Sequence, residues 1–212
     1  MEQERRDFEQ VAARWDENPR RVRLANEVAD AMIRELRLPQ DVEALDFGCG
    51  TGLLTLRLQP LVKAITGVDS SPAMLEVLRS KIEAQRLANV RAEFVDFEKG
   101  AHVEGGYDLI VSSMVTHHIP DTLALFREWF GLLRPGGMIG FSDLDKEDGS
   151  FHGDNTGVFH LGFDREKLRA LLQEAGFHQI RATTATSMSK EVEGQGVREF
   201  PIFLITATKG GN

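Results

Sequence analysis

A chain of 212 residues, 42% hydrophobic and 27% charged, carries enough apolar material for one domain, and folding should bury roughly 70% of the extended chain's surface. Its formal net charge of -8 sets a field that repels a phosphate backbone, and no Lys/Arg block interleaved with aromatics opposes it, so nucleic acid is not the expected substrate. Cys49 is the single cysteine, no apolar run approaches the ~20 residues of a membrane helix, and the charged stretch from Met1 to Asp7 is no secretory signal, so a cytoplasmic protein without disulfides or a membrane partner is expected.

In chain order, Phe8, Val11, Ala12 and Trp15 fall at helical spacing and predict a helix over 4–17, ended at Asn18-Pro19, where proline pushes its neighbour out of helix geometry. Val22, Ala25, Val28, Ala29, Met32, Ile33 and Leu36 give a second helix its apolar stripe to about Arg37, and Pro39 closes it. Arg20, Arg21 and Arg23 lie among acids and read as a solvated helix face.

The run Val42 to Phe47 then predicts a buried strand that breaks into Gly48-Cys49-Gly50-Thr51-Gly52 before a helix from about Gly52 to Leu58. Strand, glycine turn and helix make a cradle in which a ligand can lie against bare backbone. A dinucleotide frame needs a third glycine where Leu53 or Thr55 stands, and no Gly-Lys pair completes a phosphate loop. The turn therefore suits a nucleoside with a non-phosphate tail. Asp46-Phe47-Gly48-Cys49-Gly50-Thr51-Gly52 resembles the first motif of the class I S-adenosylmethionine-dependent methyltransferases, and later segments match that family in order from Asp41 onward.

Ala64 to Val68 predicts the second strand, which ends in Asp69 at about the interval where dinucleotide folds place a ribose-binding acid. Asp69 could also cap the next helix, but Ser71 ahead of Pro72 fills that position better. The resemblance implies that Asp69 holds the ribose of S-adenosyl-L-methionine, with Ser70 and Met74 in the segment flanking the adenine. Pro72 to Arg86 reads as an amphipathic helix and Val90 to Val95 as strand three. Asp96 at its end is implied to take the adenine amino group and the backbone of Phe97 a ring nitrogen; edge packing is the other reading of Phe97. The remaining implied cofactor contacts are Asp46, Gly48, Cys49, Gly50 and Gly52 of the turn and Trp15, since N-terminal helices in this family cover the cofactor. Trp15 reads equally well as packing between helices and sheet.

Tyr107 to Ser113 is nearly continuous in apolar residues, as a strand covered on both faces should be. The segment Ser113-Met114-Val115-Thr116-His117-His118-Ile119-Pro120-Asp121 resembles the fourth motif of the family's small-molecule branch, in which Ser113 approaches the methionyl part. His117 and His118 are the candidate general bases, needed only if the acceptor must lose a proton; hydrogen bonding to backbone is their bland alternative. No paired metal-ligand spacing occurs, so no metal is expected. Leu123 to Leu133 predicts a helix stopped by Arg134-Pro135-Gly136-Gly137, and Met138 to Phe141 a fifth strand. Residues 143–162 lack pattern and leave the end of that strand, where a loop can cap an active site. Asp164 caps a helix over Arg165 to Ala175, Phe177 to Thr184 is strand six, Ser187 to Arg198 a polar excursion and Phe200 to Thr208 the last strand.

Strands alternating with helices predict an α/β fold with a parallel sheet. The resemblance implies the Rossmann-like, doubly wound, seven-stranded order 3-2-1-4-5-7-6 with the last strand antiparallel. One domain over 1–212 is expected, with a helical cap over 1–38 and an active-site loop over 143–162. The activity implied is methyl transfer to a small-molecule substrate. A non-enzymatic domain binding S-adenosylmethionine or S-adenosylhomocysteine and a nicotinamide oxidoreductase are the alternatives, and a homo-oligomer through exposed N-terminal helices is left open.

Overall fold

Strand residues alternate between two apolar clusters, as a sheet covered on both faces demands. In β1 (Glu43–Phe47), Leu45 and Phe47 join Trp129 and Phe141 on one side, while Ala44 joins Met32 and Leu58 on the other. β4 (Tyr107–Ser113) repeats this, with Ile110 on the first side and Leu109 and Val111 on the second. The computed structural model describes residues 8–36, 38, 41–96 and 103–211.

Around β1 and β4 lie β2 (Ala64–Asp69), β3 (Val90–Phe94) and β5 (Leu133–Leu144), all parallel. β7 (Gly196–Lys209) pairs antiparallel with both β5 and β6 (Phe177–Val192). The order is β3-β2-β1-β4-β5-β7-β6, as the resemblance implied. α1 (Pro19–Leu36) and α2 (Leu53–Leu58) cover one face through Val28, Met32 and Leu54. α4 (Thr122–Leu132) and α5 (Arg165–Glu174) cover the other through Phe126, Trp129, Leu168 and Leu172. α3 (Pro72–Gln85) crosses from β2 to β3, and its cap is Ser71, whose Oγ accepts from Met74 N at 3.2 Å. Asp164 likewise accepts from Glu166 N and Lys167 N at the start of α5.

Three stretches differ from the sequence expectations. The helix expected over 4–17 is, within the described residues, a 3-10 segment at Ala12–Glu17 with no side-chain cap. Val11 is 39% exposed, and polar bonds to distant elements hold the segment in place of a buried stripe. The fifth strand starts at Leu133, which pairs with Tyr107 although Met138 pairs with Leu109; residues 134–137 bulge out between them and make the turn assigned to the two glycines. Ser187 to Arg198 is the far end of the β6–β7 hairpin. Its polarity hid the strands, because Ser187 and Ser189 face Glu199 across the ladder and donate to it, while Met188 packs in the α1-side cluster. The expected close of α1 at Arg37 and Pro39, the residues 1–7 and Phe97 lie outside the described residues.

Candidate active site

The end of β2 and the segment after β4 pack against the glycine turn that follows β1, and the end of β5 meets that same segment. Gly48 N and Cys49 N both donate to Val68 O, at 2.8 and 3.0 Å, which clamps the turn against the end of β2. A Cβ on Gly48 (φ +71°) would stand 2.4 Å from Val115 Cγ2, and one on Gly52 (φ +82°) 2.4 Å from Leu78 Cδ1, so these two glycines let the 115 segment and α3 pack onto the turn. Gly50 is different. Among the described residues a Cβ there would meet nothing nearer than Met74 Sδ at 4.0 Å, which leaves bare peptide facing open space between them.

Asp69, at the tip of β2, sits beside that space. Its Oδ2 accepts from Gly50 N at 2.8 Å and its Oδ1 from Ser71 N at 2.9 Å, so one carboxylate ties the turn to the start of α3. Burial pushes its pKa up, against the hydrogen bonds it receives from the backbone of Ser71, Gly50 and Ser70. Two carboxylate oxygens carry about four acceptor sites, so both retain capacity for ligand hydroxyls. Asp96 follows β3 and is 7% exposed, and Val95 N donates to Asp69 O at 3.0 Å, which holds the ends of β2 and β3 together. Met74 is buried below the open space, and Ser70 is exposed at its edge.

Two of the turn's side chains point inward. Cys49 packs with Leu75 and Leu78, and burial pushes its thiol well up, which leaves its backbone as the part able to meet a ligand. Asp46 accepts from Thr55 Oγ1 at 2.6 Å, is 1% exposed and is pushed up to about 7 by burial, against the bond from Thr55 and reinforced by the charge of Asp69. A folded pKa above the unfolded ~3.9 means that the native state holds the proton more tightly, so this stabilisation is present below about pH 4 and is lost as pH rises through 7. We expect the melting temperature to fall by about 5 °C between pH 5 and pH 8. Asp46→Asn, which keeps an acceptor for Thr55, should flatten that fall. Equal slopes for the two proteins in scanning calorimetry would assign the effect to another group.

The 8–17 segment, whose role the sequence left ambiguous, bridges three parts of the site. Glu9 accepts from Ser71 Oγ and, at 3.1 Å, from Ala73 N at the start of α3. Asp16 accepts from Thr51 Oγ1 at 2.6 Å and pairs with Lys81. Phe8 packs against Trp15 and His118 at centroid distances of 5.9 and 5.6 Å, and the Arg21 guanidinium stacks 3.7 Å over Trp15.

His117 and His118 lie on the 3-10 turn Thr116–His118 after β4, next to Val115, which abuts Gly48. Their rings are 4.1 Å apart. His118 Nδ1 meets Gly157 O at 2.6 Å, and His117 Nδ1 meets Asp143 Oδ1 at 2.7 Å. Asp143 is a site residue that periodicity could not reveal; its signal is an acid near the end of a parallel strand, where open sheets bind ligands. Ser113 accepts from Ser142 Oγ at 3.0 Å beside it, and Met114 between Ser113 and the histidines has φ 60°, a strained value for a side-chain-bearing residue. Residues 145–163 fold back on this turn, with Phe159 N and His160 N donating to His117 O. Among the described residues no group of three His, Cys, Asp or Glu could hold a metal ion. No helix of the described residues is long and apolar enough to cross a membrane.

Residues 44–137 match the family model for a methyltransferase domain. An uncharacterised methyltransferase of Schizosaccharomyces pombe is 33% identical over 132 residues, 56% of this chain and 46% of that protein. A ubiquinone biosynthesis O-methyltransferase of Vibrio parahaemolyticus is 28% identical over 92% of this chain and 82% of its own length. For several of the curated relatives the match spans about half of their length. Among solved structures, Haemonchus contortus phosphoethanolamine N-methyltransferase 2, in complex with S-adenosyl-L-methionine, shares the fold at a TM-score of 0.73 and 16% identity, over 97% of this chain and 60% of that one. Motifs, domain model and sheet order point the same way: residues 44–137 resemble a methyltransferase domain, and the chain shares the fold of a solved methyltransferase that holds S-adenosyl-L-methionine.

Proposed function

We propose that this chain transfers the methyl group of S-adenosylmethionine to a small-molecule acceptor. The observation that carries this reading is the bare peptide at Gly50 beside the backbone-anchored carboxylate of Asp69, which suits a nucleoside whose tail is not a phosphate. In this assignment Asp69 accepts from the ribose hydroxyls, Ser70 and Met74 border the adenine, Asp96 takes its amino group, and Gly48, Gly50 and Ser113 line the methionyl part. When bound, the cofactor supplies an activated methyl on a sulfonium. The chain's own contribution is to hold acceptor, methyl and sulfur in line, a proximity effect worth ~7–11 kcal/mol, and to exclude water.

Substrate contacts are assigned to the 8–17 segment with Trp15 and to residues 145–163, which border the histidine pair. An acceptor oxygen is supported by the O-methyltransferase names of curated relatives, and the acidic chain suits a metabolite better than a nucleic acid. Calorimetric titration should give binding with S-adenosylmethionine and S-adenosylhomocysteine and none with NAD. A screen of pooled metabolites should then release S-adenosylhomocysteine. Binding of NAD, or silence toward S-adenosylmethionine, would overturn the proposal; binding without turnover across the pools would favour a non-catalytic module.

A further inference from the structure

Asp143 is fully buried at the end of β5, and three donors converge on its carboxylate. His117 N reaches Oδ2 at 3.0 Å, Leu144 N reaches Oδ1 at 2.8 Å, and His117 Nδ1 lies 2.7 Å from the same Oδ1. A carboxylate is an acceptor only, so the proton of the neutral imidazole sits on Nδ1 and the lone pair on Nε2. That Nε2 is buried and has no hydrogen-bond partner among the described residues. A buried polar atom without a partner is costly, and at a ligand site it marks the place where a ligand group completes the pairing. The rings packed against the His117 ring belong to His118 on the same turn, with centroids 4.1 Å apart, and to His152 from the 145–163 segment, at 5.0 Å, and Phe8 packs against His118.

We propose that His117 Nε2 takes the proton of a hydroxyl on the methyl acceptor and that Asp143 is the positioning residue that keeps His117 in the tautomer able to do so. This rests on the methyl-transfer reading. In the step, the O–H proton moves to Nε2 as the oxygen forms its bond to the methyl carbon, the carbon–sulfur electron pair stays with sulfur, and the imidazolium formed faces the Asp143 carboxylate. The proton then leaves to water when the covering rings part. A ring whose other nitrogen is held by a carboxylate suits a hydroxyl, which must shed its proton during attack, better than a thiol, which is already partly ionised near neutral pH.

The test uses the full chain labelled with nitrogen-15. Long-range imidazole correlation spectra between pH 5 and 9, with His117→Gln supplying the assignment, should show His117 in the Nδ1–H form, and Asp143→Asn should move it toward Nε2–H. An Nε2–H tautomer in the unaltered protein overturns the proposal without any appeal to activity. With S-adenosylmethionine, a pool of simple phenols should yield methyl ethers while a pool of primary amines stays unmodified. Asp143→Asn should lower kcat on phenols roughly 10²- to 10³-fold and shift the pH profile, as a wrong tautomer does in serine-protease triads, with affinity for S-adenosylhomocysteine within about 3-fold. Equal rates and pH profiles, transfer to amines, or transfer to neither pool while S-adenosylmethionine still binds would each overturn it. If S-adenosylmethionine fails to bind, the methyl-transfer reading falls and the tautomer spectra alone decide the role of Asp143. If Asp143→Asn does not fold, His117→Gln carries the kinetic arm and should show the same loss.

Discussion

Replacing Asp69 with alanine is expected to weaken S-adenosylmethionine binding by at least ~100-fold, because in the proposed site a partly buried charged acceptor is removed from the ribose while the ligand hydroxyls remain desolvated. The same carboxylate accepts from Gly50 N and Ser71 N, so the substitution also leaves two backbone donors to find new partners. Each such loss costs about 1–3 kcal/mol if the group stays buried, but the turn lies at the crevice and water can reach both amides once the side chain is gone. Burial raises the pKa of Asp69, so its ionised form is itself strained in the folded protein, which offsets part of the cost. The variant should therefore fold with a modest drop in melting temperature, followed by circular dichroism, while calorimetry shows the loss of affinity. An affinity unchanged from that of the parent protein would remove Asp69 from the site.

The second large effect is expected at Gly50, where one added methyl group should separate binding from folding. Among the described residues its Cβ would meet only Met74 Sδ, at 4.0 Å, so their packing is undisturbed. The conformational cost at φ +53° is ~1–2 kcal/mol, which a domain of this size survives. If the cofactor's tail rests on this peptide, Gly50→Ala lowers affinity for S-adenosylhomocysteine more than 10-fold with the melting temperature down by only a few degrees. Gly52→Ala is the contrasting control, since its Cβ collides with Leu78 at 2.4 Å and the damage should appear first in stability. Equal binding by Gly50→Ala and the parent protein would move the ligand away from the turn.

The local features of this protein were set by its sequence. The apolar runs of β1 and β4, the glycine turn, the caps at Ser71 and Asp164 and the stop after α4 all depend on residues within a few positions of one another, where steric rules and hydrogen-bond geometry act without help from the rest of the chain. Asp69 was legible for the same reason, since it ends a strand a fixed interval beyond the turn. Periodicity failed at Ser187 to Arg198, because a hairpin that runs past the body of the sheet carries polar residues and pairs them across the ladder.

What only the tertiary structure decided are the meetings between distant residues. Asp143 reaches His117 across 26 positions because β4 and β5 are neighbours in the sheet, and Glu9 reaches Ala73 across 64 because the N-terminal segment lies against the start of α3. Asp46 and Cys49 turn inward because α2 and α3 pack over the glycine turn and bury them. Such contacts follow from which surfaces cover one another when the apolar faces close. Strand order and helix placement select those surfaces, and neither is encoded in the spacing of residues along the chain.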